Sequence, residues 1–247
     1  EEWQLQLVSY LAARLGPVSL AVNALLFEAF FFLTCVMYGF TSATTTRIGM
    51  HVGAGRVAQA KRVVRIALVF CGGTGVTVTV ALWLLRDYIG RVFSDDERVI
   101  SMTATVIIPV AAGYGLLCFF YVSMSMLSGQ ARNGVVAVSF FVGAWLVAVP
   151  LALVFGLAMH KDLLWLWIAL VCGYAVVTLI AGIAALNSDW EACVAAAAAR
   201  SAAKHKAVDA PDALRAAKAD AAKGARNGTG VLRGGTAAAS EDGERTA

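Results

Sequence analysis

Five runs of this sequence contain no Asp, Glu, Lys, Arg or His: residues 29–46, 66–85, 99–131, 133–159 and 163–188, which are 18, 20, 33, 27 and 26 residues long. A helix rises about 1.5 Å per residue and the hydrocarbon core of a bilayer is about 30 Å thick, so roughly 20 apolar residues cross it. A single run of this kind also fits a buried helix of a soluble protein. Five in a chain of 247 residues do not, because no aqueous core of that size hides them all. Only 15% of the residues are charged, against about 25% in soluble domains. The fold class is therefore all-α: a polytopic membrane protein, with a shorter sixth helix before the first run.

The breaks between runs set the elements. Helices are predicted at about 2–15, 18–50, 56–86, 96–128, 134–157 and 162–186, making residues 1–195 one transmembrane unit. Leu15-Gly16-Pro17 stops one helix and starts the next. Gly39 marks a bend or a close-packing position, and "CGGTG" at 71–75 reads as close helix packing in lipid. "SDDER" at 94–98 carries an N-cap signature. Pro109 and Pro150 fall inside helices. Residues 196–247 are rich in Ala, Gly and charge. "EACVAAAAARSAAKHK" extends a surface helix there, and disorder is expected beyond about 207. The chain opens on Glu1-Glu2-Trp3 without a methionine, which suggests part of a longer polypeptide.

Basic residues set the expected orientation. Arg47, Arg56, Lys61, Arg62 and Arg65 crowd the second connection without an acid. The third mixes three arginines with Asp87, Asp95, Asp96 and Glu97. Arg132 stands alone in the fourth, and Arg200, Lys204 and Lys206 open the tail. The alternation places the first, third and fifth connections on the far side and the tail in the cytoplasm. The five cysteines form no C-x-x-C pair and four lie in apolar runs, so they read as small buried hydrophobes. The three histidines give no metal-ligand spacing, and no nucleophile–base pair argues for an enzyme.

One acid interrupts the apolar sequence "ALLFEAFFFL". Holding Glu28 at membrane depth costs a few kcal/mol, so an acid there usually faces a protein interior or a water-filled cavity. Loss of water favours the protonated form of a carboxylate. Such a group can carry a proton in one conformation and release it in another, as proton coupling or cation binding requires. The alternative is a protonated glutamate held in a helix interface. Asn23, just over one turn away, either lines the same cavity or joins two helices. Phe31 and Phe32 lie nearest Glu28 by i+3/i+4 spacing, and an aromatic wall beside an acid suits a lipophilic cation. Glu2 and Gln6 share a face of the first helix, with Glu1 beside them.

The string "GFTSATTTRIGMHVGAG" at 39–55 is the most specific in the chain. Its hydroxyls either bond back to helix carbonyls or line a polar passage. In this string Gly39, Phe40, Thr41, Ala43, Thr45, Arg47, Ile48, Gly49, Val52, Gly53, Ala54 and Gly55 fall in register with a motif of the multidrug and toxic compound extrusion (MATE) family. The chain resembles the eukaryotic branch of that family over about 1–195. Ala60-Lys61, then Leu127, Gly129 and Arg132, then Pro150, and finally Trp190 with Ala192-Cys193, echo later family positions.

The resemblance implies one six-helix lobe, the C-terminal one, of a twelve-helix transporter. It implies export of organic cations or drugs in exchange for H⁺, less readily Na⁺, with no cofactor and with the missing N-terminal lobe and the lipid bilayer as partners. Nucleic acid is not expected. Glu28 stands at the family's eighth-helix acid, and Glu1 or Glu2 at the start of the seventh. Gln6, Leu117 and Met37 depart from the family's usual glutamate, acid and proline. A flippase of the same superfamily is the runner-up, although such proteins place basic residues in the cavity. A non-transporting half-lobe is the third reading.

Overall fold

The computed structural model describes residues 2–159 and 162–203. These residues are helical, apart from the short connections between helices. Helix α1 (Glu2–Arg14) is followed by α2 (Pro17–Gly53), α3 (Val57–Phe93) and α4 (Glu97–Gly129). The next crossing starts as α5 (Asn133–Phe141). It widens into a π-helical stretch (Val142–Ala148), tightens for one short α segment, α6 (Val149–Leu151), and widens again (Ala152–Met159). Helix α7 (Leu163–Leu186) completes the bundle, and residues 190–203 are helical. The chain divides into two compact units, Glu1–Val194 and Ala195–Ala247.

Five helices have the length and apolarity to cross a membrane: α2, α3, α4, the α5 crossing and α7. The 13 residues of α1 reach only about 20 Å, short of the hydrocarbon thickness. The two longest helices exceed their predicted ends. Helix α3 continues past Arg86 and Arg91 to Phe93, because exposed charges do not break a helix, and Ser94 turns extended behind it. Helix α2 runs to Gly53, where Gly55, at φ +71°, makes the reversal into α3.

Capping explains several starts. Pro17 occupies the first turn of α2, where its missing N–H costs nothing. Asp96 caps α4 by accepting from the Arg98 backbone N–H at 2.9 Å. Asp162 accepts from Leu164 N–H at the start of α7, and Asp189 from Glu191 and Ala192 at the start of the 190–203 helix.

Helix α4 is the centre of the bundle. The most apolar part of it is 61% buried, against 11% for the corresponding part of α3. The Tyr114 hydroxyl donates to the Leu33 carbonyl of α2 at 3.3 Å, and the Ser125 hydroxyl to Thr41 of α2 at 3.4 Å. The Thr79 hydroxyl of α3 donates to Ala111, and the Thr178 hydroxyl of α7 to Leu116. Between membrane helices each such bond is worth roughly 0.6 kcal/mol.

Small residues set how closely the helices approach. A Cβ at Gly75 would lie 3.1 Å from Cys118 of α4, so the glycine-rich 71–75 segment does pack against a helix, although Gly73 meets nothing within 4 Å. The tightest crossing joins the first π-helical stretch to α7. There a Cβ on Gly143 would run into the Val177 side chain and lie 2.7 Å from the Gly173 carbonyl. Ala144, Ala148 and Ala152 continue this narrow, buried face. Pro150 lies in the α segment between the two π-helical stretches. A proline has no N–H and crowds the carbonyl four residues back, and a widened helix relieves both.

Two expectations are corrected. Gly39 has no atom within 4 Å of its Cβ direction, so it neither packs closely nor breaks α2. Cys35 is exposed rather than buried, while Cys71 and Cys118 are buried. The expected disorder beyond about 207 lies outside the described residues.

Much of the outer surface of α3 is bare hydrocarbon: Val69, Val80, Trp83, Leu84 and Val92 are all exposed. A water-soluble monomer does not expose so much apolar surface. A helix facing lipid does, because its backbone polar groups are satisfied within the helix.

Candidate functional site

A groove of about 340 Å³ runs between α1 and α2, lined by Leu5, Gln6, Ser9, Phe27, Glu28, Phe30, Phe31, Thr34 and Tyr38. On α2 the lining follows helical spacing, 27, 30, 31, 34 and 38. At about 100° per residue these positions fall within one stripe, with Glu28 on its flank. Gln6 and Ser9 supply the facing polar groups from α1, three residues apart on one face.

The groove has an aromatic floor. Phe27 lies 5.2 Å from Trp167 of α7, ring centre to ring centre. Phe30 meets Tyr114 of α4 edge-on at 6.1 Å and stacks near Tyr174 of α7 at 6.4 Å. These contacts tie the α2 stripe to α4 and α7. Thr34 turns its hydroxyl back to the Phe31 carbonyl at 2.9 Å. Glu28 itself is exposed and has no ion-pair partner among the described residues. None of the lining residues is basic.

The predicted site residues separate into groups. Glu28, Gln6 and Phe31 come together in the groove. Phe32 does not. It lies about 140° round the helix from Phe27, is 77% exposed and does not line the groove. Asn23 is fully buried and does not line the groove. Its amide donates to the Ser9 hydroxyl at 3.3 Å, so it joins α2 to α1, the second of the two roles open to it. Its Oδ1 has no partner among the described residues. Glu1 lies outside the described residues, and Glu2 opens α1. Leu117 is buried within α4, and Met37 within α2.

Ser9, Thr34 and Tyr38 are lining residues that the sequence reading missed. Ser9 was detectable as the i+3 neighbour of Gln6, and Tyr38 as the continuation of the 27–31–34 stripe.

The glycine-rich motif has another task. Thr41 is buried and its carbonyl accepts from Ser125, while Ile48 packs against Gly129, where a Cβ would come within 2.6 Å. Gly49 faces the Gly129 carbonyl at an ordinary 3.6 Å, and Gly55 supplies the turn. Ala43, Arg47 and Gly53 are exposed. The motif therefore docks the end of α2 onto the end of α4. Arg132, just past α4, donates to Ser188 at 2.8 Å and to the Ala184 carbonyl at 3.3 Å, anchoring the same end of the bundle to the end of α7.

The MatE family model matches residues 2–154. The chain belongs to the MATE family. It is therefore an integral membrane protein of a transporter family, not an enzyme. Among curated relatives, it is 28% identical over 198 residues to the uncharacterized transporter C4B3.13 of Schizosaccharomyces pombe, covering 77% of this chain and 35% of that protein. It is 27% identical over 167 residues to multidrug and toxin extrusion protein 1 of Homo sapiens, covering 68% and 29%.

This MATE chain thus spans about a third of the length of these relatives. In fold it is similar to the crystal structure of the eukaryotic MATE transporter AtDTX14, with a TM-score of 0.75 at 19% identity over 80% of this chain and 45% of that one. It is also similar to a MOP superfamily transporter from Pyrococcus furiosus, with a TM-score of 0.66 at 19% identity over 74% and 40%.

Proposed function

We propose that this MATE chain forms the cation-binding lobe of a secondary active antiporter. It exports amphipathic organic cations in exchange for H⁺, less readily Na⁺, by alternating access against a companion six-helix lobe. The observation that carries the proposal is the convergence of Glu28 and Gln6 on one groove with an aromatic floor. A carboxylate attracts the cation, the rings of Phe27, Phe30 and Phe31 accept its apolar body, and aromatic faces add cation–π attraction. About 340 Å³ falls at the small end of ligand-site volumes, which suits a lobe that supplies one wall of a larger cavity.

Exchange follows from competition for one group. Glu28 binds either the cation or a proton, so loading one discharges the other, and a proton gradient drives export. The rest of the site works with fewer acids than is usual in the family, because Gln6 and Leu117 carry no charge. The name of the human relative supports a multidrug or toxin cargo. The absence of basic side chains from the groove lining speaks for a cation and against the phosphate headgroup that a flippase would take. By the loop charges, the tail lies in the cytoplasm.

The test is uptake of a fluorescent organic cation by protein paired with its companion lobe, in vesicles with an imposed pH gradient. Glu28→Gln should cut proton-driven uptake by tenfold or more while the protein remains folded. Undiminished uptake would overturn the assignment.

A further inference from the structure

A second groove of about 420 Å³ lies where α3 begins and α4 and α7 finish. Leu68, Phe119, Val122 and Met126 form its apolar bed, Lys61 and Arg65 stand at its rim, and Trp190 closes its end. We propose that this groove is a binding site for an anionic phospholipid, whose phosphate sits at Lys61 and Arg65 and whose acyl chain lies along the bed.

Three observations favour that occupant. Lys61 and Arg65 are one helical turn apart on the same helix, both are exposed, and neither has an ion-pair partner among the described residues. Their charge is therefore available to a phosphate. The acids nearest in sequence to Trp190 do not neutralise the rim: Asp189 is engaged as the cap of its own helix, and Glu191 is exposed beyond it. The bed continues directly from the rim toward the middle of the membrane, with Leu68 and Phe119 exposed along it. A headgroup-level pair of cations, an interfacial tryptophan and an apolar trough below them match the layers of one lipid leaflet. A soluble organic anion would have no use for the trough, and a neutral lipid none for the cations.

Gly182 borders this groove from α7, and a Cβ there meets only the Ser123 hydroxyl, at 4.0 Å. The bed is therefore open enough to be filled by mutation without disturbing the helices.

The experiment uses the full chain purified in a neutral detergent, with lipid retention measured by native mass spectrometry. Phosphatidylglycerol is compared with phosphatidylcholine of the same acyl chains and with glycerol 3-phosphate as the headgroup alone. Phosphatidylglycerol should be retained at least tenfold more strongly than phosphatidylcholine. Each rim charge contributes about fivefold, so K61Q/R65Q should weaken retention by about twenty-five-fold. Gly182→Phe, which keeps both charges, should displace the lipid by filling the trough. Arg86→Gln with Arg91→Gln, at the opposite end of α3, should leave retention unchanged. Equal retention of the two lipids, or wild-type retention by K61Q/R65Q, would overturn the proposal. So would glycerol 3-phosphate competing as well as the lipid, which marks a free-phosphate site. Release of bound phosphatidylglycerol by the chain's own C-terminal segment, seen as tighter lipid binding after truncation at 203, would assign the groove to that segment instead.

Discussion

Helices α2 and α4 are similar in apolarity, yet they do different work. Each contains a window of mean hydropathy 2.0, but 61% of that window is buried in α4 and 33% in α2. Helix α4 is surrounded, and its Tyr114 and Ser125 hydroxyls bond to α2. Helix α2 is packed on one side and presents its other face to the α1–α2 groove, where Glu28 is exposed and has no ion-pair partner among the described residues. Polar groups in the core serve to join helices, and those on the edge are left available for a ligand. Changes in the core should therefore affect folding, and changes on the edge should affect transport.

The largest expected effect comes from the tightest point of the core. Gly143→Ala places a methyl group against Val177 and the Gly173 carbonyl, and the loss should be about 3 kcal/mol, the top of the range for overpacking. Gly39→Ala on the edge helix meets open space and should be neutral or stabilising by up to about 1 kcal/mol. Reversible unfolding in detergent measures both. Equal losses at the two glycines would erase the distinction between core and edge.

A smaller effect is expected where the core is tied at one end. Arg132→Ala removes both bonds to the end of α7 and should cost about 1–2 kcal/mol, read as a lower unfolding midpoint. Arg132→Lys should recover part of the loss, since both bonds leave one nitrogen, Nη1, and an ammonium carries three N–H donors.

The smallest effect lies at the α3–α4 turn and depends on pH. The Arg98 backbone N–H, and then its guanidinium, hold the Asp96 carboxyl below the usual carboxylate range. A carboxyl depressed in the folded state contributes stability above its unfolded pKa and loses it as pH falls through the folded value. The wild type should therefore lose a little stability below about pH 4 that Asp96→Asn, which still caps the helix, does not lose. Thermal midpoints from pH 7 to 3 give the difference.

The long helices were legible because charge is excluded from lipid, so Arg47, Arg65, Arg86, Arg98 and Arg132 bracket their apolar runs. Their ends were less so, because a helix can carry Arg86 and Arg91 on an exposed face and still continue to Phe93. The π-helical stretches had only Pro150 as a cue, since no residue type encodes a wider turn. Gln6, Glu28 and Phe31 could be assigned to one site from helical spacing and the motif register. Phe32 could not be excluded, because that depends on how α1 lies on α2. The division of labour in the 39–55 motif was also hidden: its glycines and hydroxyls face α4 or solvent according to a packing partner 84 residues away.

The central claim is that Glu28 exchanges a proton for an organic cation, and proton release on binding tests it most directly. Titrating the protein paired with its companion lobe with a lipophilic cation, by calorimetry in buffers of different ionisation enthalpy, counts the protons displaced. The wild type should release up to about one proton per cation bound, and Glu28→Gln should release none. Proton release by Glu28→Gln equal to that of the wild type would show that another group does the exchange.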